Sequence, residues 1–186
     1  MDISSSVQRH WPKEQIFVKR LAKRMGISKN GVHASVVLFS DSAELEIPFL
    51  DDIDDFVSAV DALDDIGGTT RIDRGLDVAF NKMFQTTNGM RPYGQCNKVV
   101  VLMTDGVNSQ PFALVDAVKR FHHAGIKVVV VGIGNKINTT ELLSLVKVHS
   151  DFYMAQDFDK LASDSFVNSI VVCEKLPSKL RYIYLW

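Results

Sequence analysis

Apolar residues recur along this chain at two alternating periods. From Pro12 to Met25, Val18, Leu21, Ala22 and Met25 share one face, with lysine and arginine on the other. That is the spacing of a surface helix, and Pro12 suits its first turn. After Gly26 and Asn30-Gly31, Val32 to Phe39 and Glu44 to Phe49 read as two strands, joined through Ser40-Asp41-Ser42 as a hairpin. Helical spacing returns at Ile53, Phe56, Val57, Val60 and Leu63, stops before Gly67-Gly68, and resumes at Ile72, Leu76, Ala79, Phe80 and Met83. A polar loop from Thr86 to Asn97 leads into Val99 to Met103, which is apolar throughout. Leu114, Val115, Val118 and Phe121 mark the next helix, and Val128 to Val131 is a second wholly apolar run. Thr139 to Val146 reads as a short helix, Phe152 to Met154 as a short strand, and Phe158, Leu161, Ala162 and Phe166 as a last helix running toward Val171. Strands thus alternate with helices, and the central strands are apolar on both faces. The pattern predicts an α/β fold with a doubly wound, mostly parallel sheet flanked by helices.

With 186 residues, 46% of them hydrophobic and 23% charged, the chain suffices for one domain with a substantial core. We expect that domain over residues 1–173, with a C-terminal tail or linker at 174–186. The tail's Leu180-Arg-Tyr-Ile-Tyr-Leu-Trp186 alternates loosely like a strand but follows a helix and Pro177. Asp2 is expected directly after a buried strand, of which Met1 alone would remain. The chain therefore reads as N-terminally incomplete, its first strand and any signal peptide lost by truncation. A net charge of −1 provides no field toward nucleic acid, and no apolar run is long enough to insert in a membrane. Cys96 and Cys173 are too few for a disulfide framework.

Three stretches carry oxygen-rich chemistry. Asp2, Ser4 and Ser6 place a carboxylate and two hydroxyls at alternate positions. Gly67-Gly68-Thr69-Thr70 is a small-residue loop with hydroxyls, and Lys98 to Asp105 is an apolar run ending in Thr-Asp-Gly. All three can meet where a parallel sheet presents its ligand edge. Two carboxylates with several hydroxyls suit a hard cation such as Mg²⁺ rather than zinc. Taken alone, Asp2, Ser4 and Ser6 could instead cap the first helix; the loop and the Thr-Asp-Gly strand end, in this order, favour the metal.

Enzyme readings are thin. Gly132-Ile-Gly134 lacks the third glycine of a dinucleotide loop, and no G-x-S-x-G elbow accompanies His10. A Mg²⁺-dependent hydrolase would need a further acid such as Asp41 or Asp73, for which a surface cap is the ordinary role. The acidic run Asp51 to Asp55 and the pair His122-His123 fit helix ends.

The Asp2-Ile-Ser4-Ser-Ser6 motif, the threonine loop and the Val-Leu-Met-Thr-Asp105-Gly strand end resemble a von Willebrand factor type A domain. In that family these elements constitute a metal-ion-dependent adhesion site. The resemblance runs from Asp2 to about Cys173, and the Val128 to Gly134 strand is similar to matrilin-like and collagen-associated members. It implies a Rossmann-like fold missing its first strand, and Mg²⁺ or Mn²⁺ held by Asp2, Ser4, Ser6, Thr70 and Asp105. Counting back from Leu76 favours Thr70, with Thr69 as the alternative; Arg71 and Ile72 depart from many relatives. The resemblance further implies a non-catalytic module in which a partner's Glu or Asp completes the coordination. Collagen or another matrix protein would be the partner, in an extracellular, secreted setting. Self-association and a metal-independent matrix scaffold are the other expectations, and intracellular members leave a cytoplasmic location open. Cys173 resembles the cysteine that follows the last helix in such domains, its mate preceding the absent strand. Asn138-Thr139-Thr140 would be a glycosylation site in a secreted protein.

Overall fold

The computed structural model describes residues 1–92, 97–170 and 184–185. Cys96 and Cys173, and most of the 174–186 tail, lie outside the described residues. In chain order the elements are α1 (Trp11–Met25), β1 (Ala34–Phe39), β2 (Ala43–Leu50), α2 (Ile53–Asp61), α3 (Ile72–Val78), β3 (Val99–Thr104), α4 (Pro111–His123), β4 (Lys127–Ile133), α5 (Thr139–Leu143), β5 (Phe152–Ala155), α6 (Phe158–Ala162), α7 (Asp164–Ser169) and β6 (Tyr184–Leu185).

β1 and β2 form the expected antiparallel hairpin, closed at Phe39 opposite Ala43. β3 and β4 pair in parallel from Val99 opposite Lys127 to Thr104 opposite Gly132. β5 adds in parallel to β4, and β6 in parallel to the other side of β3. Every residue of β3 is buried, as is every residue of β4 after Lys127. Successive strand side chains point to opposite faces, so these runs supply two cores. Val99, Val101, Met103, Val129, Val131 and Ile133 pack with Phe17, Val18 and Leu21 of α1 and with Phe56, Phe158 and Phe166. Val100, Leu102, Val128 and Val130 pack with Ile72, Leu76, Leu114, Phe121 and Leu142 of α3, α4 and α5. Helices on both faces of a sheet with parallel central strands make the doubly wound architecture that the apolar runs predict. The burial also sets the stability scale, since each fully buried Val, Leu or Phe contributes roughly 1.5–3 kcal/mol.

Two local features depart from the pattern, and a third agrees with it. The helix expected from Phe158 toward Val171 is two helices, because Ser163 is extended (φ −73°, ψ 144°) and its Oγ accepts from the Phe166 amide at 3.2 Å. A serine that can cap a new helix competes with continuation of the old one. α3 passes into a π turn over Ala79–Met83. Asp2 does sit on a strand edge despite the short lead-in: it bridges Phe39 in parallel, and the buried Met1 carbonyl accepts from Phe39 N at 3.1 Å. Among the described residues no helix is long and apolar enough to cross a membrane.

Candidate metal centre

The sheet edge at the ends of β1 and β3 collects the oxygen-bearing residues. Asp2 is 0% exposed. The Ser4 amide donates to its Oδ1 at 2.9 Å and the Thr104 hydroxyl to its Oδ2 at 2.7 Å. Burial pushes the Asp2 pKa above the usual carboxylate range, and these two hydrogen bonds act in opposition. From Ser4 a chain of contacts crosses the edge: Ser4 Oγ lies 3.1 Å from Ser6 Oγ, which donates to Asp105 Oδ1 at 2.7 Å.

The glycine loop delivers the threonines on opposite sides. Gly67 and Gly68 have φ of 75° and 113°, a region L side chains rarely adopt. Gly68 and Ser5 lock together, with Ser5 N donating to the Gly68 carbonyl and Gly68 N to Ser5 Oγ, both at 3.0 Å. Thr69 is exposed, and its amide and hydroxyl both donate to Asp41 Oδ1. Thr70 is buried; its carbonyl accepts from Ser109 N at 2.9 Å, and a Cβ placed on Gly106 would lie 3.0 Å from its Oγ1. Thr70 therefore packs against the residue after Asp105, while Thr69 is committed to Asp41. The structure brings Asp2, Ser4, Ser6 and Asp105 into one connected series and sets Thr70 beside it.

The donor set fits a hard divalent cation. All its side-chain donors are oxygen, one carboxylate is buried without a cationic partner, and the hydroxyls bond to each other and to Asp105. Helix capping is not their role here: α1 starts at Trp11, with His10 as N-cap and no side-chain cap bond. Among the described residues no group of three or more His, Cys, Asp and Glu converges as a metal site, so the candidate centre rests on two carboxylates and hydroxyls.

The remaining candidates have structural occupations. The His10 ring stacks on Phe158 at 4.3 Å between centroids. Asp73 accepts from Arg71 at 2.9 and 2.6 Å; burial would raise its pKa, but the guanidinium outweighs this and lowers it. Asp52 caps α2 by accepting from Asp54 N and Asp55 N, and exposed Asn138 caps α5 by accepting from Glu141 N at 3.1 Å. Two residues beneath the site carried no assigned role in the sequence. Thr104 was visible only as part of a strand end. Glu14 falls on the buried face of α1, both its carboxylate oxygens lack a partner, and burial first and Asp2 second push its pKa well up.

A family model described as von Willebrand factor type A domain matches residues 1–167. The collagen alpha-6(VI) chain of Mus musculus is 26% identical over 148 residues, which is 78% of this chain but 6% of that protein. Proximal thread matrix protein 1 from the mussel byssus, solved with a zinc-occupied MIDAS motif, superposes with a TM-score of 0.84 at 24% identity over 92% of this chain and 45% of that one. The manganese-loaded TRAP protein of Plasmodium vivax superposes with a TM-score of 0.70 at 19% identity, covering 90% of this chain and 70% of that one.

Proposed function

The chain belongs to the von Willebrand factor type A family, and we propose that it is a non-catalytic protein-interaction module. In this reading Asp2, Ser4, Ser6, Thr70 and Asp105 hold Mg²⁺ or Mn²⁺. An acidic side chain of an extracellular matrix or cell-surface partner, collagen among the candidates, then binds at the same point. The observation that carries the reading is the linked series from Asp2 through Ser4 and Ser6 to Asp105, with Thr70 at its side. A hard cation bound there supplies an electrophilic position for a carboxylate oxygen.

The chain's own residues do the positioning. Thr104 and the Ser4 amide fix both oxygens of Asp2, and the Ser5–Gly68 exchange holds the threonine loop against the Asp2-to-Ser6 turn. Ile66 and Val107, next to Gly67 and Gly106, are 76% and 43% exposed. They offer a partner apolar contact beside its acid, so the ligand would pair a carboxylate with aliphatic or aromatic neighbours. The matrix setting is supported by the relatives named collagen and thread matrix protein. In that setting Asn138 would carry a glycan on its exposed amide while its Oδ1 remains the cap of α5.

Calorimetric titration with Mn²⁺, on the wild type beside Asp2→Ala and Asp105→Ala, tests the reading. Saturable one-site binding, abolished in both variants, is the expected result. A folded wild type that binds neither Mn²⁺ nor Mg²⁺ would overturn it and favour a metal-independent scaffold.

A further inference from the structure

Among the described residues β5 pairs only with β4, and its outer edge is built differently from that of β2. β2 presents exposed Glu44, Glu46 and Pro48, charges and a proline that discourage a further strand. β5 reads Phe152-Tyr-Met-Ala155 and has neither. Gly134 N donates to the Ala155 carbonyl at 2.9 Å, so Ala155 turns its backbone groups toward β4. Those groups alternate sides along a strand, so Tyr153 faces β4 as well, while Phe152 and Met154 turn their amides and carbonyls outward. Side chains alternate across the sheet too: Tyr153 and Ala155 pack on the core beneath α1, and Phe152 on the opposite core. Apart from Ile66 and Val107 on the metal face, the most exposed large apolar residues described are at this edge. They are Val148 at 53%, ahead of the turn that leads into β5, and Met154 at 49%.

We propose that this edge is a homophilic surface, on which a second copy of the chain docks its own β5, antiparallel, about a two-fold axis at Tyr153. Backbone complementarity chooses that occupant first. Centring the pair on Tyr153 sets Phe152 of each copy opposite Met154 of the other, and each such pair exchanges both of its N–H···O bonds. Both outward-facing residues are then satisfied, which no other centre on the strand achieves. The faces agree as well, because Phe152 and Met154 point to the same side of the sheet and bring a thioether against an aromatic ring. Charge chooses the direction. Exposed Lys147 and His149 precede the strand, and exposed Asp157 and Asp159 follow it. Antiparallel pairing therefore lays the basic approach of one copy against the acidic exit of the other, on both sides of the axis. The remaining charges nearby are engaged within the copy: buried Asp151 with Lys127 at 2.8 Å, and Lys160 with Ser165 Oγ at 3.1 Å. A two-fold contact of this kind closes on itself at two copies.

The test is sedimentation equilibrium on the full chain with divalent metal chelated, so its outcome is separate from that of the metal reading. A strand this short makes a small contact, and we expect a reversible dimer with a dissociation constant of roughly 10 μM to 1 mM. Met154→Pro removes an outward amide that β4 does not use, a place where an edge strand accepts proline. It should weaken association at least about tenfold and leave the thermal unfolding temperature unchanged. His149→Glu, set opposite Asp157, should weaken it about threefold or more. Tyr153→Cys, whose copy lies directly across the axis, should form a disulfide-linked dimer on mild oxidation, well beyond the level reached by Phe152→Cys or the wild type. This cross-link also decides the matter if Met154→Pro folds poorly. A wild type that stays monomeric at about 1 mM would overturn the proposal. A dimer that a folded Met154→Pro leaves intact would place the contact elsewhere and overturn it too. So would equal cross-linking at positions 152 and 153, which denies the register.

Discussion

Replacing Thr104 by Val removes one hydroxyl from beneath Asp2 and leaves the side-chain volume almost unchanged. That hydroxyl donates to Asp2 Oδ2 at 2.7 Å and accepts from the Gly106 amide at 3.2 Å. Both Thr104 and Asp2 are fully buried, so bulk water has no ready access to replace the lost donor. A hydrogen bond to a charged group contributes about 1.5–3 kcal/mol. Its loss falls chiefly on the ionised form of Asp2, which binds the cation, because the protonated form escapes much of the cost. At tenfold per 1.4 kcal/mol, Mn²⁺ affinity should drop by roughly 10- to 100-fold. Thr104→Ser keeps the hydroxyl and should stay within about threefold of wild type. Ser35→Ala is the control: its buried hydroxyl donates to the Ile47 carbonyl at 2.6 Å, within the β1–β2 hairpin. It should cost about 1 kcal/mol of stability with metal affinity unchanged. Calorimetry with Mn²⁺ and urea unfolding on all three variants provides the comparison. A folded Thr104→Val protein with wild-type affinity would refute the account of how Asp2 is held.

Glu14 is buried without a hydrogen-bond partner and its pKa is raised, by burial first and against the pull of the Met1 amino group, so the folded protein retains a proton that the unfolded chain releases above about pH 4.3. Stability should therefore fall as pH rises above the ordinary carboxylate range toward the folded-state pKa, and Glu14→Gln should flatten that slope in urea midpoints measured across it. Gly68→Ala combines φ 113° with a Cβ 2.8 Å from Asp41 Oδ2. It should cost about 1–3 kcal/mol and weaken Mn²⁺ binding by moving Thr70, both measurable on the purified variant. Phe121→Ala empties a fully buried position against the edges of Phe80 and Phe84, with centroids 5.3 and 6.1 Å away. Urea denaturation should show a loss of about 3–5 kcal/mol without altered metal affinity in the folded protein.

Much of this architecture was legible from one chain because its signals are local. Val99 to Met103 and Val128 to Val131 are apolar at every position, and a strand with that pattern must be covered on both faces, which already implies helices on two sides. The glycines at 67 and 68 and the serines after Asp2 carry turn chemistry that depends on neighbours in sequence. What stayed hidden depends on segments far apart in the chain. Nothing near Thr69 and Thr70 says which faces Asp41 and which packs on Gly106. Ser163 could have continued a helix or begun one. Thr104 gains its importance only because Asp2, 102 residues away, needs a donor in a place water does not reach. Tyr184 and Leu185 pair with Val100 and Val101, a register no neighbouring residue announces. The sequence by itself determined which segments are strands and helices and which carry oxygen ligands, since periodicity and turn chemistry are properties of short stretches. The tertiary structure alone decided which distant groups share a buried hydrogen bond and which strands pair, because burial and pairing exist only once the chain has closed on itself.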